Sequence, residues 1–320
     1  MYRILSTLSN IPIEKVKGEF EKFEIDVQDE MKREEIMEII HRYDGIIAAD
    51  IIEYDEEIFE KAEKLKVISR YGVGVDNVDI EAAKKHGVTV TNAPGENAES
   101  VAEHTIGLMI AAAKNFSLAD RKIRKGNWKR SHGFGKELAG KVLGQVGFGN
   151  IGKLVAQKCK LAFDMNVLVY DPYVPEYKVR NLISGKKEEL PELLRKSDVV
   201  SLNIPATEET KDLFDYEKFK IMKDESIFVN TGRGEVVVEE DLARALDEGR
   251  IFAAGLDVLR NEPVKEDNPL LRKENTVITP HSASTTPESN ERVLRAVLRD
   301  QKSVFEGKTP VGIQKAQMEG

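Results

Sequence analysis

The sequence predicts an α/β protein made of two doubly wound domains with parallel sheets. Short apolar segments alternate with charged segments of helical character along the chain. This alternation occurs in two series, which Pro94-Gly95 and a long helical stretch separate. The length of 320 residues also exceeds that of a typical single domain. Strands that alternate with helices form parallel sheets covered on both faces, so both series predict the same architecture.

The first series contains four apolar segments that we interpret as buried strands. These strands are Tyr2–Ser6, Gly45–Ala48, Lys66–Ser69 and Val88–Thr91. The helices predicted between them are Ile13–Phe23, Arg33–His41, Asp55–Lys64 and Ile80–His86. Gly87 follows the last of these helices, at the position where glycine commonly ends a helix.

A long apolar helix is predicted between the two series, from about Glu99 to Lys125, with Gly126-Asn127 ending it. Much of its surface is apolar, including Val101, Ile106 and Leu108. A helix of this kind bridges two domains or forms a subunit interface.

The second series predicts six strands, which matches a dinucleotide-binding domain. The strands are Val142–Val146, Asn166–Tyr170, Val199–Asn203, Ser226–Asn230, Phe252–Leu256 and Thr276–Ile278. The helices include Gly152–Leu161, Pro191–Lys196, Tyr216–Met222 and Glu239–Glu248. A last helix, Glu288–Phe305, is expected to return to the first domain. The predicted domains are therefore 1–98 with 285–320, and 99–284.

The composition argues against several classes of function. The formal net charge of −8 disfavours nucleic acid or an anionic membrane as the main partner. The longest apolar stretch, Thr105–Ala113, is too short to span a bilayer. The single cysteine, Cys159, and an N-terminus that reads as a strand and not as a signal peptide lead us to expect a cytoplasmic protein. The histidines lack metal-ligand spacing, so no metal is expected, and His104 is interpreted as a packed polar residue.

The first chemical motif is a glycine finger, which we define as Gly147–Gly152. A predicted strand precedes it, a predicted helix follows it, and Asp171 ends the next strand 19 residues past Gly152. Glycines at this spacing allow a tight turn and a close approach of the backbone to a pyrophosphate at the helix N-terminus. Asp171 would bind the ribose hydroxyls and repel a 2′-phosphate, so NAD is favoured over NADP. The alternative is a glycine turn of purely structural use.

The second motif is a set of four segments at the carboxyl ends of predicted strands. They are Thr231–Gly234, Gly255–Val258, Asn261–Pro263 and Thr279–Ser282. The carboxyl ends of the strands are where open α/β sheets bind ligands. Arg233 suits a substrate carboxylate, His281 suits proton transfer, and Glu262 would orient the imidazole. Taken singly, each has a structural alternative as a turn residue or an exposed ion pair.

The third motif is the glycine-containing segment from Ser69 to Asp79. Gly72 and Gly74 allow backbone N–H groups to point at an anion, and Arg70 adds a positive charge. A glycine turn that starts the next helix is an equally physical interpretation.

These motifs together resemble the D-isomer-specific 2-hydroxyacid dehydrogenase family, over nearly the whole chain. The matching segments are Gly72–Asp79, Asn92–Gly95, Ala102–Thr105, Gly126–Trp128, Glu137–Lys141 before the glycine finger, Asn230–Gly234, Gly255–Val258, Glu262-Pro263 and Thr279–His281. One departure is Gln145, which stands where the family usually has an apolar residue. The resemblance implies a Rossmann NAD domain and a flavodoxin-like substrate domain.

The resemblance also implies roles for individual residues. Arg233 would bind the carboxylate and carbonyl oxygen of the substrate, His281 would be the general acid/base, and Glu262 its partner. The backbone amides of Val73 and Gly74 would hold the substrate carboxylate. The cofactor residues would be Gly147, Gly149, Asn150, Ile151, Gly152, Asp171, Thr231 and, beside the nicotinamide, Asp257.

Within the family, the segment from Ser69 to Asp79 is most similar to that of D-3-phosphoglycerate dehydrogenases. An arginine at position 70 suits a second anionic group on the substrate, so 3-phosphoglycerate is the preferred substrate. We expect a form without the C-terminal regulatory domain of many such enzymes. The helix Glu99–Lys125 is expected to help form a homodimer.

Three other functions stay open at this stage. Reduction of hydroxypyruvate or glyoxylate is the alternative within the same chemistry. A non-catalytic, NAD-sensing corepressor is the alternative from another class, since fold alone does not imply catalysis. A methyltransferase is disfavoured because the late Arg/Glu/His set would have no role. Tyr216 and Lys220 have the spacing of a motif in short-chain dehydrogenases. We interpret them as part of a connecting helix, because in those enzymes the glycine finger opens the chain, whereas here it begins at Gly147.

Overall fold

A computed structural model of the chain describes residues 1–9, 11–28, 31–314 and 317. These residues form two compact units. Unit 1 consists of Met1–Asn97 and Thr285–Gly320, and unit 2 consists of Ala98–Ser284.

The regular elements alternate along the chain as the two predicted series require. The strands are β1 (Tyr2–Ser6), β2 (Phe23–Val27), β3 (Gly45–Ala48), β4 (Val67–Arg70), β5 (Thr89–Thr91), β6 (Val142–Val146), β7 (Asn166–Tyr170), β8 (Lys186–Lys187), β9 (Val199–Leu202), β10 (Ser226–Asn230), β11 (Ile251–Leu256) and β12 (Thr276–Ile278). The helices are α1 (Ile13–Val16), α2 (Arg33–Ile39), α3 (Glu56–Lys61), α4 (Ile80–Lys85), α5 (Ala98–Ala113), α6 (Phe116–Arg124), α7 (Asn150–Phe163), α8 (Glu176–Ile183), α9 (Leu190–Lys196), α10 (Tyr216–Ile221), α11 (Glu239–Asp247) and α12 (Pro287–Phe305).

Unit 1 is built on a parallel sheet with the strand order β2-β1-β3-β4-β5. This is the order of flavodoxin-like folds, and it confirms the predicted class. The prediction of a helix over Ile13–Phe23 was wrong at its end, because the helix stops at Val16 and Phe23 begins β2. Strand β2 lies at the sheet edge and is only half-buried, so its side chains do not form the continuous apolar run used to find the other strands.

Unit 2 is built on a parallel sheet with the strand order β12-β11-β10-β9-β6-β7-β8. The order reverses beside β6, as in Rossmann folds, which confirms the predicted class. The register pairs Val146 with Tyr170 and Leu202, and Asn230 with Leu202 and Leu256. Because these strands end level with one another, the segments that follow them lie along one edge of the sheet.

The prediction of one long helix from Glu99 to Lys125 was wrong, because the chain forms two helices there. Helix α5 ends at Ala113 and helix α6 begins at Phe116. Between them Asn115 has a φ of +53°, which interrupts the helical backbone. Its amide Nδ2 donates to the carbonyl oxygen of Phe134 at 2.6 Å, so a tertiary contact stabilises the break.

Helix α5 is packed against the sheet of unit 2 and is largely buried. A Cβ atom on Gly255 of β11 would lie 2.9 Å from the Cβ atom of Leu108, so glycine permits this close approach. None of the described helices has the length and apolar character needed to cross a membrane.

Candidate active site

The glycine finger forms the turn between β6 and α7. Gly147 has a φ of +86°, and a Cβ atom there would lie 2.4 Å from the carbonyl oxygen of Asn203. A Cβ atom on Gly152 would lie 2.1 Å from the carbonyl oxygen of Gly147. Both positions require glycine, because any side chain would collide with backbone atoms.

The start of helix α7 fits the pyrophosphate of a dinucleotide. Gly149 is the N-cap, and no side chain of the described residues caps the helix there. A Cβ atom on Gly149 would have no described atom within 4 Å, so there is open space at the helix N-terminus. Asn150 and Ile151 begin the helix, where backbone N–H groups lack intrahelical acceptors and the helix dipole is positive. These residues therefore suit an anionic diphosphate.

Asp171 directly follows β7, and the backbone orients both of its carboxylate oxygens. Oδ2 accepts a hydrogen bond from the Phe148 amide at 2.8 Å, and Oδ1 accepts one from the Tyr173 amide at 2.9 Å. A carboxylate has about four acceptor sites, so each oxygen can accept a further hydrogen bond from a ribose hydroxyl. The negative charge would repel a 2′-phosphate.

A buried polar network connects the finger to Thr231, which follows β10. The Nε2 atom of Gln145 donates to the Gly147 carbonyl at 3.1 Å and to Asn203 Oδ1 at 3.0 Å. Asn203 Nδ2 donates to Thr231 Oγ1 at 2.8 Å, and Thr105 Oγ1 lies 2.7 Å from the same oxygen. Gln145 is thus a polar residue that orients the finger. The sequence motif indicated only that it departs from the family pattern.

His281 and Glu262 form a direct pair in unit 2. The His281 Nδ1 atom lies 2.6 Å from Glu262 Oε2, and Glu262 Oε1 accepts a hydrogen bond from the Leu259 amide at 2.9 Å. The hydrogen bond to Glu262 raises the pKa of His281 above its ordinary value, although partial burial and the charge of Arg233 oppose this rise. The pair can therefore supply a proton near neutral pH and take it back.

Asp257 follows β11 and holds the segment that carries His281. Its Oδ1 atom accepts hydrogen bonds from Thr279 Oγ1 at 2.6 Å and from the Ser282 amide at 2.9 Å, and its Oδ2 atom accepts from the Ala283 amide at 2.9 Å. The His281 amide donates to the Asp257 carbonyl at 2.8 Å. His281 itself has a φ of +50°, an uncommon conformation for a side-chain-bearing residue that these contacts maintain.

His104 on α5 is a further member of this network. Its Nε2 atom lies 2.9 Å from Thr279 Oγ1 and 3.4 Å from Asp257 Oδ1. Burial opposes the charge on Asp257, but the hydrogen bonds from His104, Thr279 and two backbone amides outweigh it, so the pKa of Asp257 is lowered. Sequence reasoning missed this role, because nothing in the spacing places a helix residue beside the ends of β11 and β12.

Arg233 lies on the turn after β10, and two features fix that turn. Asn230 accepts a hydrogen bond from the Gly232 amide at 3.0 Å and donates to the Arg233 carbonyl at 2.9 Å. A Cβ atom on Gly234 would lie 2.0 Å from the carbonyl carbon of Leu259, so glycine lets this turn pack against the segment that leads to Glu262. The structure thus brings Arg233, Glu262 and His281 to one edge of the sheet of unit 2.

The predicted anion-binding segment of unit 1 lies at the carboxyl end of β4. Arg70 is the last residue of that strand, and its Nη2 atom lies 3.0 Å from Asp50 Oδ2. The side chain of Asn92 donates to the Val73 carbonyl at 2.6 Å. Within the described ranges the Val73 and Gly74 amides donate no backbone hydrogen bond, so both can face a ligand. Sequence reasoning did not identify Asp50 as a partner of Arg70.

The described residues contain no group of three or more His, Cys, Asp or Glu side chains that could hold a metal ion. The single cysteine, Cys159, is fully buried, and burial raises the pKa of its thiol to about 12.

Comparisons with known proteins find relatives of one family. Residues 106–283 match the model of the D-isomer specific 2-hydroxyacid dehydrogenase, NAD binding domain, which confirms NAD as the cofactor. A D-3-phosphoglycerate dehydrogenase of Archaeoglobus fulgidus is 43% identical over 277 residues, which are 87% of this chain and 52% of that protein. A hydroxypyruvate reductase of Thermotoga maritima is 39% identical over 275 residues, which are 85% of this chain and 88% of that protein.

The solved structures include a similar chain of the same size. The TT0316 protein from Thermus thermophilus superposes with a TM-score of 0.89 at 34% identity, covering 97% of this chain and 99% of that one. The chain spans about half the length of the phosphoglycerate dehydrogenases it matches first. From the matched domain, these relatives and the shared fold, we conclude that this chain belongs to the D-isomer specific 2-hydroxyacid dehydrogenase family.

Proposed function

We propose that this chain is an NAD-dependent oxidoreductase that transfers a hydride between C2 of a small D-2-hydroxy acid and NAD. The observation that carries the proposal is the His281–Glu262 pair, with Nδ1 and Oε2 2.6 Å apart and Arg233 near enough to affect the imidazole. Bound NAD supplies the hydride acceptor in oxidation and the hydride donor in reduction. A non-catalytic NAD sensor would have no need of this acid–base pair.

The imidazole of His281 moves the proton in this proposal. Because Glu262 occupies Nδ1, we assign the transfer to Nε2. In oxidation Nε2 of the neutral ring accepts the hydroxyl proton at C2, and in reduction the imidazolium returns it to the carbonyl oxygen. The raised pKa of His281 keeps a protonated fraction available for reduction near neutral pH.

The other predicted residues bind and orient. In unit 2, Arg233 would pair with the substrate carboxylate and polarise the carbonyl oxygen. Asp257 would position His281 through the segment that it holds. It is also expected to lie beside the nicotinamide. In unit 1, Arg70 and the Val73 and Gly74 amides would recognise the substrate. The glycine finger with Asn150 and Ile151, together with Asp171 and Thr231, would hold NAD.

The substrate within this class is a finer proposal. Arg70 considered alone favours 3-phosphoglycerate, and reduction of hydroxypyruvate or glyoxylate is the alternative. The relatives described above include enzymes named for either kind of acid, phosphorylated or unphosphorylated.

A homodimer is also proposed, with α6 and the segment after it as the contact surface. Phe116, Ile123, Trp128 and Phe134 are all exposed there, and Trp128 and Phe134 are about 80% exposed. Exposed apolar groups clustered on a short segment are typical of an interface. Light scattering should give twice the chain mass, and a Trp128→Ser, Phe134→Ser double variant should give the monomer mass. A cytoplasmic location remains a prediction.

The activity is tested by incubating the purified full chain with NADH and, separately, glyoxylate, hydroxypyruvate, pyruvate and 3-phosphohydroxypyruvate. We expect NADH consumption with at least one acid. For every active acid except glyoxylate, whose product glycolate is achiral, the product should have the D configuration on a chiral column. Inactivity with every 2-oxo acid, or an L product, would contradict the proposal.

A further inference from the structure

The ion pair between Arg70 and Asp50 is built into the carboxyl edge of the sheet in unit 1. Strands β3 and β4 are neighbours, with Ala48 opposite Arg70 in the register. Asp50 lies two residues beyond the end of β3, and its Oδ2 atom is 3.0 Å from Nη2 of Arg70. The Nη1 atom of Arg70 donates to the Tyr71 carbonyl at 2.7 Å. The guanidinium therefore faces a full negative charge and a carbonyl dipole of the protein.

The backbone around Asp50 is held in place by buried hydrogen bonds. Asn77 Nδ2 donates to the carbonyls of Ala49 and Ile52, at 2.8 and 2.6 Å, and the Ala49 amide donates to Thr7 Oγ1 at 2.9 Å. Asn77 and Thr7 are both buried. Because these contacts flank Asp50 on both sides, its carboxylate is presented to Arg70 by a fixed turn.

The two members of the pair differ in their access to solvent. The Arg70 side chain is 11% exposed, whereas the Asp50 side chain is 60% exposed. A ligand that approaches this edge of the sheet would therefore meet the carboxylate of Asp50 at least as readily as the guanidinium beneath it.

The pair also lies next to the amides that are proposed to bind the substrate. A Cβ atom on Gly72 would be 3.3 Å from Nη1 of Arg70, so the guanidinium lies directly against the start of the Gly72–Gly74 loop. A substrate whose carboxylate is held by that loop would carry its C3 substituent within reach of Arg70 and Asp50.

These observations bear on the charge that the C3 substituent can carry. A phosphate dianion needs an excess of positive charge, but here Asp50 balances Arg70 and repels a second anion. The C3 hydroxyl of hydroxypyruvate, or the hydrogen atom that glyoxylate has in place of C3, needs no counter-charge, and the hydroxyl can donate to the exposed carboxylate oxygen. We propose that Asp50 is a specificity-determining residue that neutralises Arg70, so that the enzyme takes unphosphorylated short 2-oxo acids in preference to phosphorylated ones. This inference rests on the proposed dehydrogenase function, and it reverses the preference for 3-phosphoglycerate that follows from Arg70 alone.

The test compares kcat/KM with NADH for hydroxypyruvate, glyoxylate and 3-phosphohydroxypyruvate in the wild type and in Asp50→Asn. The wild type should prefer the better unphosphorylated acid at least tenfold, and Asp50→Asn should shift the ratio at least tenfold toward the phosphorylated acid, mainly through its KM. Glu63→Gln is the matched control. It also removes one exposed carboxylate, but Glu63 precedes β4, whereas Arg70 lies at the other end of that strand. It should leave the ratio unchanged.

An active wild type that prefers the phosphorylated acid would overturn the inference, as would an unchanged ratio in a folded Asp50→Asn variant. If that variant does not fold, inhibition of the wild type by D-glycerate and by 3-phosphoglycerate decides the question. A Ki for 3-phosphoglycerate no lower than that for D-glycerate supports the inference, and one tenfold lower overturns it. A wild type inactive on these three acids and on pyruvate would instead refute the proposed function.

Discussion

The carboxylate of Glu262 lies between two donors, with Oε2 2.6 Å from Nδ1 of His281 and Oε1 2.9 Å from the Leu259 amide. The backbone contact fixes the carboxylate, and the carboxylate in turn fixes the imidazole. This relationship determines which ring nitrogen is left for the substrate and at what pH the ring loses its proton.

Glu262→Gln should move the pH profile of 2-oxo acid reduction to lower pH. Reduction needs the imidazolium, so kcat/KM falls as the pH rises through the pKa of His281. The pKa lies above its ordinary value of 6.5 chiefly because of Glu262. Without that carboxylate, burial and Arg233 lower the pKa, and of the causes that raise it only the weaker influence of the Asp257 charge remains. The basic limb of the profile should therefore shift to lower pH. Glu266→Gln, an exposed carboxylate in the same segment, should not move it. An unshifted limb in Glu262→Gln would refute the assignment of this limb to His281.

Asp257→Asn should destabilise unit 2 and slow turnover. An amide accepts hydrogen bonds at one atom only, and its NH₂ group would face either the Ala283 amide or the donors on Oδ1. Leaving such buried donors unsatisfied costs about 1–3 kcal/mol of unfolding free energy.

The pH dependence of this loss has a definite sign. The pKa of Asp257 is lowered below 3.8 in the folded chain, so its contribution is complete above that pH and is lost as the pH falls through the folded pKa. Urea unfolding should thus show a constant difference between wild type and variant at neutral pH that shrinks in strong acid. Asp267→Asn, an exposed change, is the control. A difference that grows in acid would contradict the assignment.

Asp171→Ala should reduce discrimination between NADH and NADPH. The carboxylate is placed by the Phe148 and Tyr173 amides, and its charge is expected to repel a 2′-phosphate. The ratio of kcat/KM for NADH to that for NADPH should fall at least about tenfold, which corresponds to ~1.4 kcal/mol. A ratio is the right readout, because general damage to the fold affects both cofactors equally. Glu176→Gln on α8 should leave the ratio unchanged.

Gln145→Leu should lower stability and weaken NAD binding together. The substitution conserves most of the volume but removes the donor to the Gly147 carbonyl and to Asn203. We expect a loss of about 1–2 kcal/mol in thermal or urea unfolding and a raised KM for NADH with little change in kcat. A variant as stable as the wild type would show that this polar contact is not needed to hold the finger.

Much of the fold and of the unit 2 site could be predicted from the sequence, because both depend on local patterns. Neighbouring residues alone specify the strand–glycine–helix order around Gly147–Gly152. They also specify the apolar runs that form the strands of the second series. The residues after each strand could be grouped because parallel strands end at a common edge. The edge strand Phe23–Val27 was missed because only continuous apolar runs were interpreted as strands, whereas this half-buried strand alternates apolar and polar residues.

The remaining features depend on contacts between distant segments. The end of α5 near Asn115 depends on the Phe134 carbonyl, and the role of His104 depends on Thr279 and Asp257. From the sequence, Arg70 was interpreted as a cation that binds a substrate anion. In the structure Asp50, which follows the neighbouring strand, forms an ion pair with it. No spacing rule contains these pairs, because their members are 19 to 175 residues apart.

The role of His281 is tested most sharply by the rate of NADH oxidation with hydroxypyruvate by the wild type and by His281→Gln, each folded and saturated with NADH. We expect clear turnover by the wild type and a kcat about 10²–10⁴-fold lower in the variant, since general acid catalysis contributes rate factors of that size. A His281→Gln variant that turns over within a few-fold of the wild type would contradict the central claim that this imidazole moves the proton.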